Sequence, residues 1–312
     1  MPTVSVIIPT RNRAALLPRA VESARRAGGG VEVVVVDDAS EDGTREVCER
    51  LGGVRYVRAR GRLGPGGARN VGLVASTSEY VSFLDDDDVR LPGSLDEQAA
   101  ALEAHPAAGM VYGRVLYGDG EGRPTGGYYP EECTRGDIFW QLMRRNFVPC
   151  PAVVFRRACL LSVGLLDAEA QGVEDWDLWV RIAERYPVLA DERAVAVWRR
   201  PTFSSGQFTS RPERLHRVVR RLHREKWLRL PRAAAAGADG RRAAARAFAE
   251  QEAQHLVWEA AAGLKAGGLT YFLRVAFAGA RMYPVGFGRK ALAAAVRRGG
   301  RGRTANDEDS SL

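Results

Sequence analysis

Apolar residues open the chain as short unbroken runs. VSVIIP (Val4 to Pro9) and VEVVVVDD (Val31 to Asp38) are β-branched and continuous, so they predict strands buried on both faces. Between them Ala14, Leu16, Leu17, Val21 and Ala24 fall at helical spacing, giving the order strand, helix, strand and with it a parallel sheet. The alternation continues: strands are expected near 4–8, 32–37, 54–58, 79–84 and 110–116, and helices near 14–27, 43–51, 67–75 and 94–104. This is the pattern of a doubly wound α/β domain. Residues 118–137 are rich in Gly, Pro, Tyr and charge and read as a long loop, a common place for binding elements. VPCPAVVFRR (Val148 to Arg157) predicts a further strand, Glu174 to Tyr186 a helix ended by Pro187, and LADERAVAVWRR (Leu189 to Arg200) a last strand.

From Pro212 the period changes. Leu215, Val218, Val219 and Leu222 form one apolar stripe, with Arg214, Arg217, Arg221 and Arg224 largely off it, as in an amphipathic helix. Residues 232–247 are an Ala/Arg/Gly-rich stretch read as a helix or a mobile connector. LTYFLRVAFAGARMYPVGFG is the most apolar late segment, but Arg274 and Arg281 interrupt it, which disfavours a spanning helix and leaves an interfacial one. The division expected is an α/β domain over 1–210, a basic helical extension over 211–300 and a disordered tail over 301–312.

Charge sharpens that division. Residues 1–210 carry 25 Lys+Arg against 29 Asp+Glu, a net −4, whereas residues 211–312 carry 21 against 9, a net +12. No nucleic-acid-binding module accompanies the basic part, so an anionic membrane surface is the better expectation than nucleic acid. Cys48, Cys133, Cys150 and Cys159 make no CxxC pair and no disulfide framework, which favours reduced thiols in the cytoplasm and implies no zinc site. The first residues show no secretory pattern. The expected placement is cytoplasmic, with 211–300 either peripheral on the inner face of the membrane or packed on the α/β domain with its arginines solvated.

The candidate chemistry lies where strands end. Thr10-Arg11-Asn12, Asp37-Asp38 and Asp85-Asp86-Asp87-Asp88 all follow predicted strands, and ligands of parallel sheets bind beyond the carboxyl ends, so the three clusters should line one crevice. Four adjacent carboxylates cannot all be buried ionised without a cation, donors or water. Mg²⁺ or Mn²⁺, which take hard oxygen ligands, would satisfy them. The competing reading is a solvated acidic turn. Period-two alternation puts Asp85 and Asp87 on one side and directs Asp86 elsewhere; Asp88, before Leu91-Pro92, reads as a turn or cap.

In this order, VSVIIPTRNR, VVVVDDASEDGT, GPGGARNVGL, YVSFLDDDDVRLPG and GVEDWDLWVRIA resemble the family 2 glycosyltransferases of the GT-A fold, over roughly residues 3–205. The resemblance implies an inverting, metal-dependent transferase that takes a nucleotide diphosphate sugar, UDP- or dTDP-linked. It places Asp38 on the base, flanked by Pro9 and Thr10, with Arg11 in the same cluster. Asp37 is either part of that contact or a turn and cap residue. GPGGARN brings backbone N–H groups toward phosphate, with Arg69 as a cation near the diphosphate and Asn70 fixing the loop, although its glycines serve equally well for a turn alone. Asp85 to Asp87 become the family's DxD motif, with Asp87 as direct metal ligand and Asp85 on the ribose or a metal-bound water. Asp86 takes the ribose if the register slips.

An inverting transfer needs one base on the acceptor side. Of the acids opening the helix at GVEDWDLWVR, Asp175 is expected as that base and Glu174 as acceptor binder, while Asp177 suits helix-start electrostatics. Trp176 and Trp179 are either core or an acceptor wall. Ser204 to Gln207 suggest a loop closing over the diphosphate. The acceptor is a glycan, lipid-linked or small-molecule hydroxyl. Two other readings compete: a sugar nucleotidyltransferase, disfavoured because PTRNRAALLP has no glycine after the first strand, and a non-catalytic nucleotide-sugar-binding protein.

Overall fold

The computed structural model describes residues 3–199, 212–265 and 268–291. The proposed loop at Ser204 to Gln207 and the tail 301–312 lie outside the described residues.

A nine-stranded sheet organises the first two hundred residues. Its parallel half is built from β1 (Val4–Thr10), β2 (Val31–Asp37), β3 (Arg55–Arg58) and β4 (Tyr80–Phe83), in the order β3-β2-β1-β4. Register across β1 and β2 pairs Val4 with Val31 and Thr10 with Asp37, so both polar clusters emerge at one sheet edge. The helices between these strands are α1 (Leu17–Arg26), α2 (Thr44–Leu51) and α3 (Gly64–Ala75). After β4 come the two-residue β5 (Val89–Arg90), α4 (Ser94–Ala104) and the long β6 (Met110–Gly118).

The second half of the sheet is mixed. β8 (Val153–Arg156) enters antiparallel between β4 and β6, and β9 (Val188–Arg199) runs parallel to β6 while pairing antiparallel with β5. The stretch 118–137 is more than a loop. Pro124–Tyr129 forms β7, folded back on β6 with Tyr128 opposite Leu116 and Tyr129 opposite Val115. Five of its six residues are exposed, so no inward-outward alternation announces it; backbone pairing makes the strand. Short helices α5 (Phe139–Leu142) and α6 (Cys159–Val163) precede α7 (Glu174–Arg185).

Both tryptophans of α7 are core. Trp179 is fully buried against Phe83 and Phe155, and Trp176 donates its indole N–H to the Leu142 carbonyl at 2.7 Å. The acceptor-wall alternative is therefore set aside for them.

The basic region is helical throughout its described length: α8 (Pro212–Glu225), α9 (Pro231–Ala235), α10 (Gly237–Lys265) and α11 (Leu269–Met282). Val219 and Leu222 on the apolar stripe of α8, with Trp227, Ala233 and Phe248, join the same buried cluster as Trp176 and Trp179. Trp227 packs on Trp176 at 5.1 Å between ring centroids. α10 and α11 close a separate cluster around Leu256, Val275 and Met282. No helix among the described residues is long and apolar enough to cross a membrane.

Candidate active site

The polar clusters meet where β1, β2 and β4 end, beside the first turn of α7. Thr10, the last residue of β1, is buried and donates its hydroxyl to Asp86 at 2.7 Å. Arg13 reaches the same acid at 2.9 Å and Asp87 at 3.1 Å. Arg11 donates to the Asp38 carbonyl at 2.9 Å, and Pro9 is half-buried beside it.

The two acids after β2 divide their work. Asp37 is fully buried and accepts from the Ser40 N–H, the Tyr56 hydroxyl and Arg58. Burial favours its protonation, but the hydrogen bonds from Ser40 and Tyr56 outweigh that and hold its carboxyl below the ordinary range. It is a folded-in turn residue, the second of the two expectations for it. Asp38 accepts the backbone N–H of Leu63 and, at 3.0 Å, that of Gly64, so it caps the entry to α3. The glycines of that entry answer to close approach as well as to turning. Gly64 has φ +73, and a Cβ on Gly72 would stand 2.3 Å from the Ile7 side chain, so α3 lies directly on β1. Asn70 clasps residue 166 through both its amide groups, donating to the Leu166 carbonyl at 2.8 Å and accepting its N–H at 3.0 Å.

The acidic run turns sharply after β4. Carboxylate oxygens of Asp85, Asp87 and Asp88 lie within 4.8 Å of one another, while Asp86 points to Thr10 and Arg13. Burial pushes Asp86 up to about 6 and raises Asp87 and Asp88, with neighbouring carboxylates adding to it at each of the three. Such a set of hard oxygen donors, crowded and partly desolvated, fits a divalent cation, which would offset both the burial and the repulsion that lift these values. Arg13 and Arg199 supply part of that compensation, Arg199 at 3.4 Å from Asp87 through its side chain and 2.9 Å from Asp88 through its N–H.

Arg69 joins the acidic run to α7. Its guanidinium pairs with Asp85 on one side and Glu174 on the other, lies over the Phe83 ring at 5.5 Å from its centroid, and is only 4% exposed. Glu174 also accepts the Gly172 N–H at 2.6 Å. Asp175 is half-buried and accepts the Trp176 N–H at 2.7 Å. Burial first and the adjacent Glu174 second raise its carboxyl to about 7, against the opposing pull of Arg69. That value suits a proton acceptor at neutral pH.

Asp88, Arg13 and Arg199 were not assigned to the site from the sequence. Asp88 carried a signal, four acids in a row, that the period-two argument discounted because the chain turns there. Arg13 lies one residue beyond the Thr10 to Asn12 cluster. Arg199 ends a strand 111 residues away from Asp88, and only the β5–β9 pairing brings it near.

A family model described as Glycosyl transferase family 2 matches residues 5–160. The chain is 40% identical over 122 residues to a GalNAc(5)-diNAcBac-PP-undecaprenol beta-1,3-glucosyltransferase of Campylobacter jejuni, a match covering 37% of this chain. The chain spans 39% of that relative's length and 62% of the length of a second curated relative. Among solved structures, Staphylococcus aureus TarS (residues 1–349) in complex with UDP-GlcNAc superimposes with a TM-score of 0.60 at 21% identity, covering 90% of this chain and 82% of that one. A mannosyltransferase from Pyrobaculum calidifontis in complex with GDP-Man and Mn²⁺ gives 0.55 at 22% identity, covering 95% and 86%. At these identities the likeness establishes the fold, a GT-A sheet with a helical carboxyl-terminal part.

Proposed function

This chain belongs to glycosyl transferase family 2, and from that premise we propose that it is a metal-dependent, inverting glycosyltransferase. It would move a sugar from a nucleotide diphosphate sugar, UDP- or dTDP-linked, to a hydroxyl of a glycan, lipid-linked or small-molecule acceptor. The observation that carries this reading is the convergence of a proposed donor-side acid and a proposed acceptor-side acid on one guanidinium, Asp85 and Glu174 on either side of Arg69.

On the donor side, Pro9, Thr10, Arg11 and Asp38 border the space for the base, and Asp85 and Asp86 that for the ribose. Asp87 and Asp85, joined by Asp88, would hold Mg²⁺ or Mn²⁺, which supplies charge neutralisation for the departing diphosphate. Arg69 adds fixed positive charge at the edge of that space. On the acceptor side, Asp175 takes the hydroxyl proton at its carboxylate oxygen, and Glu174, held by Arg69 and the Gly172 N–H, orients the acceptor. Family membership leaves no place for the nucleotidyltransferase reading. The relatives support the substrate classes, since the two solved structures hold nucleotide sugars and the Campylobacter enzyme's name describes a polyprenol-linked acceptor. A cytoplasmic site of action, with the helices after residue 211 resting on the inner membrane face, completes the proposal.

The test is a panel of nucleotide sugars scored for thermal stabilisation with and without Mn²⁺, followed by turnover of the best ligand. A true donor at a hundredfold excess over its Kd stabilises by about 2.7 kcal/mol. Stabilisation without any donor hydrolysis or transfer would leave a binding protein, and no stabilisation by any member would remove the proposal. Asp87→Ala is expected to abolish the metal-dependent part of donor binding while leaving the apo melting temperature unchanged or slightly raised, because one of four crowded carboxylates is gone. Calorimetry showing wild-type Mn²⁺ dependence in that variant would move the metal elsewhere. Asp85→Ala should be milder.

A further inference from the structure

The carboxyl-terminal helices leave one surface that the transfer chemistry does not use. On α8, Glu213, Arg217 and Arg220 follow one another at i, i+4, i+7; on α11, Arg274, Phe277 and Arg281 follow at i, i+3, i+7. The two stripes line a single cleft of about 600 Å³. Four guanidinium groups therefore share it with one carboxylate. Arg274 engages that carboxylate, Glu213, at 3.1 Å, and Arg220 lies over the Tyr283 ring. Arg217 and Arg281 are exposed, and among the described residues neither has an ion-pair partner.

An apolar row borders the cleft. Leu269, Leu273 and Phe277 stand at i, i+4, i+8 on α11 and are 60%, 56% and 69% exposed, while Val275 and Met282 on its other face are buried in the cluster with α10. Hydrocarbon and unpaired guanidinium side by side match a ligand that is itself both apolar and anionic. A soluble anion would leave the leucine row without a use. We propose that the α8–α11 cleft receives the phosphate of an anionic membrane lipid, with Leu269, Leu273 and Phe277 entering the boundary between headgroups and acyl chains. Arginine suits the role because its planar fork binds phosphate oxygens in pairs, and an interfacial helix gains from apolar burial and anionic attraction together. This deepens the peripheral-membrane reading above and rests on it.

The experiment is flotation of the full chain with phosphatidylcholine vesicles and with vesicles that also contain phosphatidylglycerol, at low and high salt. The parent should float only with the anionic vesicles and lose binding as salt rises. The double variant Arg217→Gln, Arg281→Gln should bind roughly 10- to 30-fold more weakly, about fivefold per arginine, and Leu273→Ser with Phe277→Ser should lose binding at unchanged melting temperature. A control with equal charge loss on α2, Arg45→Gln with Arg50→Gln, should bind like the parent. If the parent binds and the cleft variant binds equally well, or the control falls as far, the cleft assignment is overturned and the peripheral reading survives. If the parent ignores anionic vesicles even at low salt, both fall. Calorimetric binding of inorganic pyrophosphate that depends on Arg217 and Arg281, without vesicle binding, would make this a soluble-anion site and overturn the lipid.

Discussion

Asp175→Asn is expected to lower glycosyl transfer by roughly 10²- to 10⁴-fold, the usual contribution of a positioned base, with donor affinity unchanged. Asparagine keeps the size of the side chain and its acceptor for the Trp176 N–H but cannot take a proton. The pH profile gives an independent reading. Only the ionised carboxylate works as base, so the wild-type rate should rise through about pH 7 and level above it, with a bound divalent cation drawing the midpoint lower. The stability contribution has the opposite sense. A carboxyl raised in the folded state adds stability that is complete below its ordinary unfolded range and is lost as pH rises through about 7. The variant should lose the acid limb of the rate profile and this stability slope together. Glu174→Gln should raise KM more than it lowers kcat, and it should also melt earlier because it breaks the buried contact with Arg69. Near-normal transfer by Asp175→Asn beside a fully active Glu174→Gln would sink the assignment. Near-normal transfer beside a dead Glu174→Gln would move the base by one residue.

The largest effect on stability is expected at Asp177. Its carboxylate is fully buried and is shared by Arg181 at 2.8 Å, Lys226 at 2.8 Å and the Trp227 indole N–H at 2.9 Å. It is thus the polar fastening between α7 and the segment after α8. Asp177→Ala strands Trp227's donor and leaves Arg181 and Lys226 without their shared anion, a loss of about 3 kcal/mol or more, visible as a fall of several degrees in Tm. Asp177→Asn should fall between, since it can still accept from Trp227. An unchanged Tm for the alanine variant would show that apolar packing around Trp227 and Trp176 holds the extension without this network. Truncation near residue 210 should likewise cost stability, because it would expose Trp176 on α7.

The central strands of the parallel half, β1, β2 and β4, were legible because they are buried almost throughout and largely apolar, as in Val33 to Val36. α4 was legible to the residue: Ser94 opens it and Asp96 and Glu97 occupy its first turn. What escaped depends on pairing between distant segments. β5 is two residues long and exists through Val89–Val197 and Arg90–Ala196, and β7 is exposed along almost its whole length. In the site, the acids were legible because carboxylates crowd visibly in a sequence. Their counter-charges were not, since Arg13 and Arg199 look like any of the chain's many arginines until the sheet closes around them. Arg69 was found, but as a cation facing diphosphate; its burial between two carboxylates comes from α3 and α7 meeting in space.

That shared guanidinium has a consequence for anyone recombining this enzyme with its relatives. A chimera that keeps the first strands and helices and imports the rest needs a junction somewhere after the acidic run. Here Arg69 sits on α3, before such a junction, and Glu174 on α7, after it, and a Cβ on Gly66 would stand only 3.2 Å from the Glu174 side chain. A graft that imports α7 with its loop but keeps α3 would inherit either a stranded buried cation or a steric clash. A chimera is therefore expected to fold best when α3 and α7 move as one cassette, or when only loops that touch neither are varied.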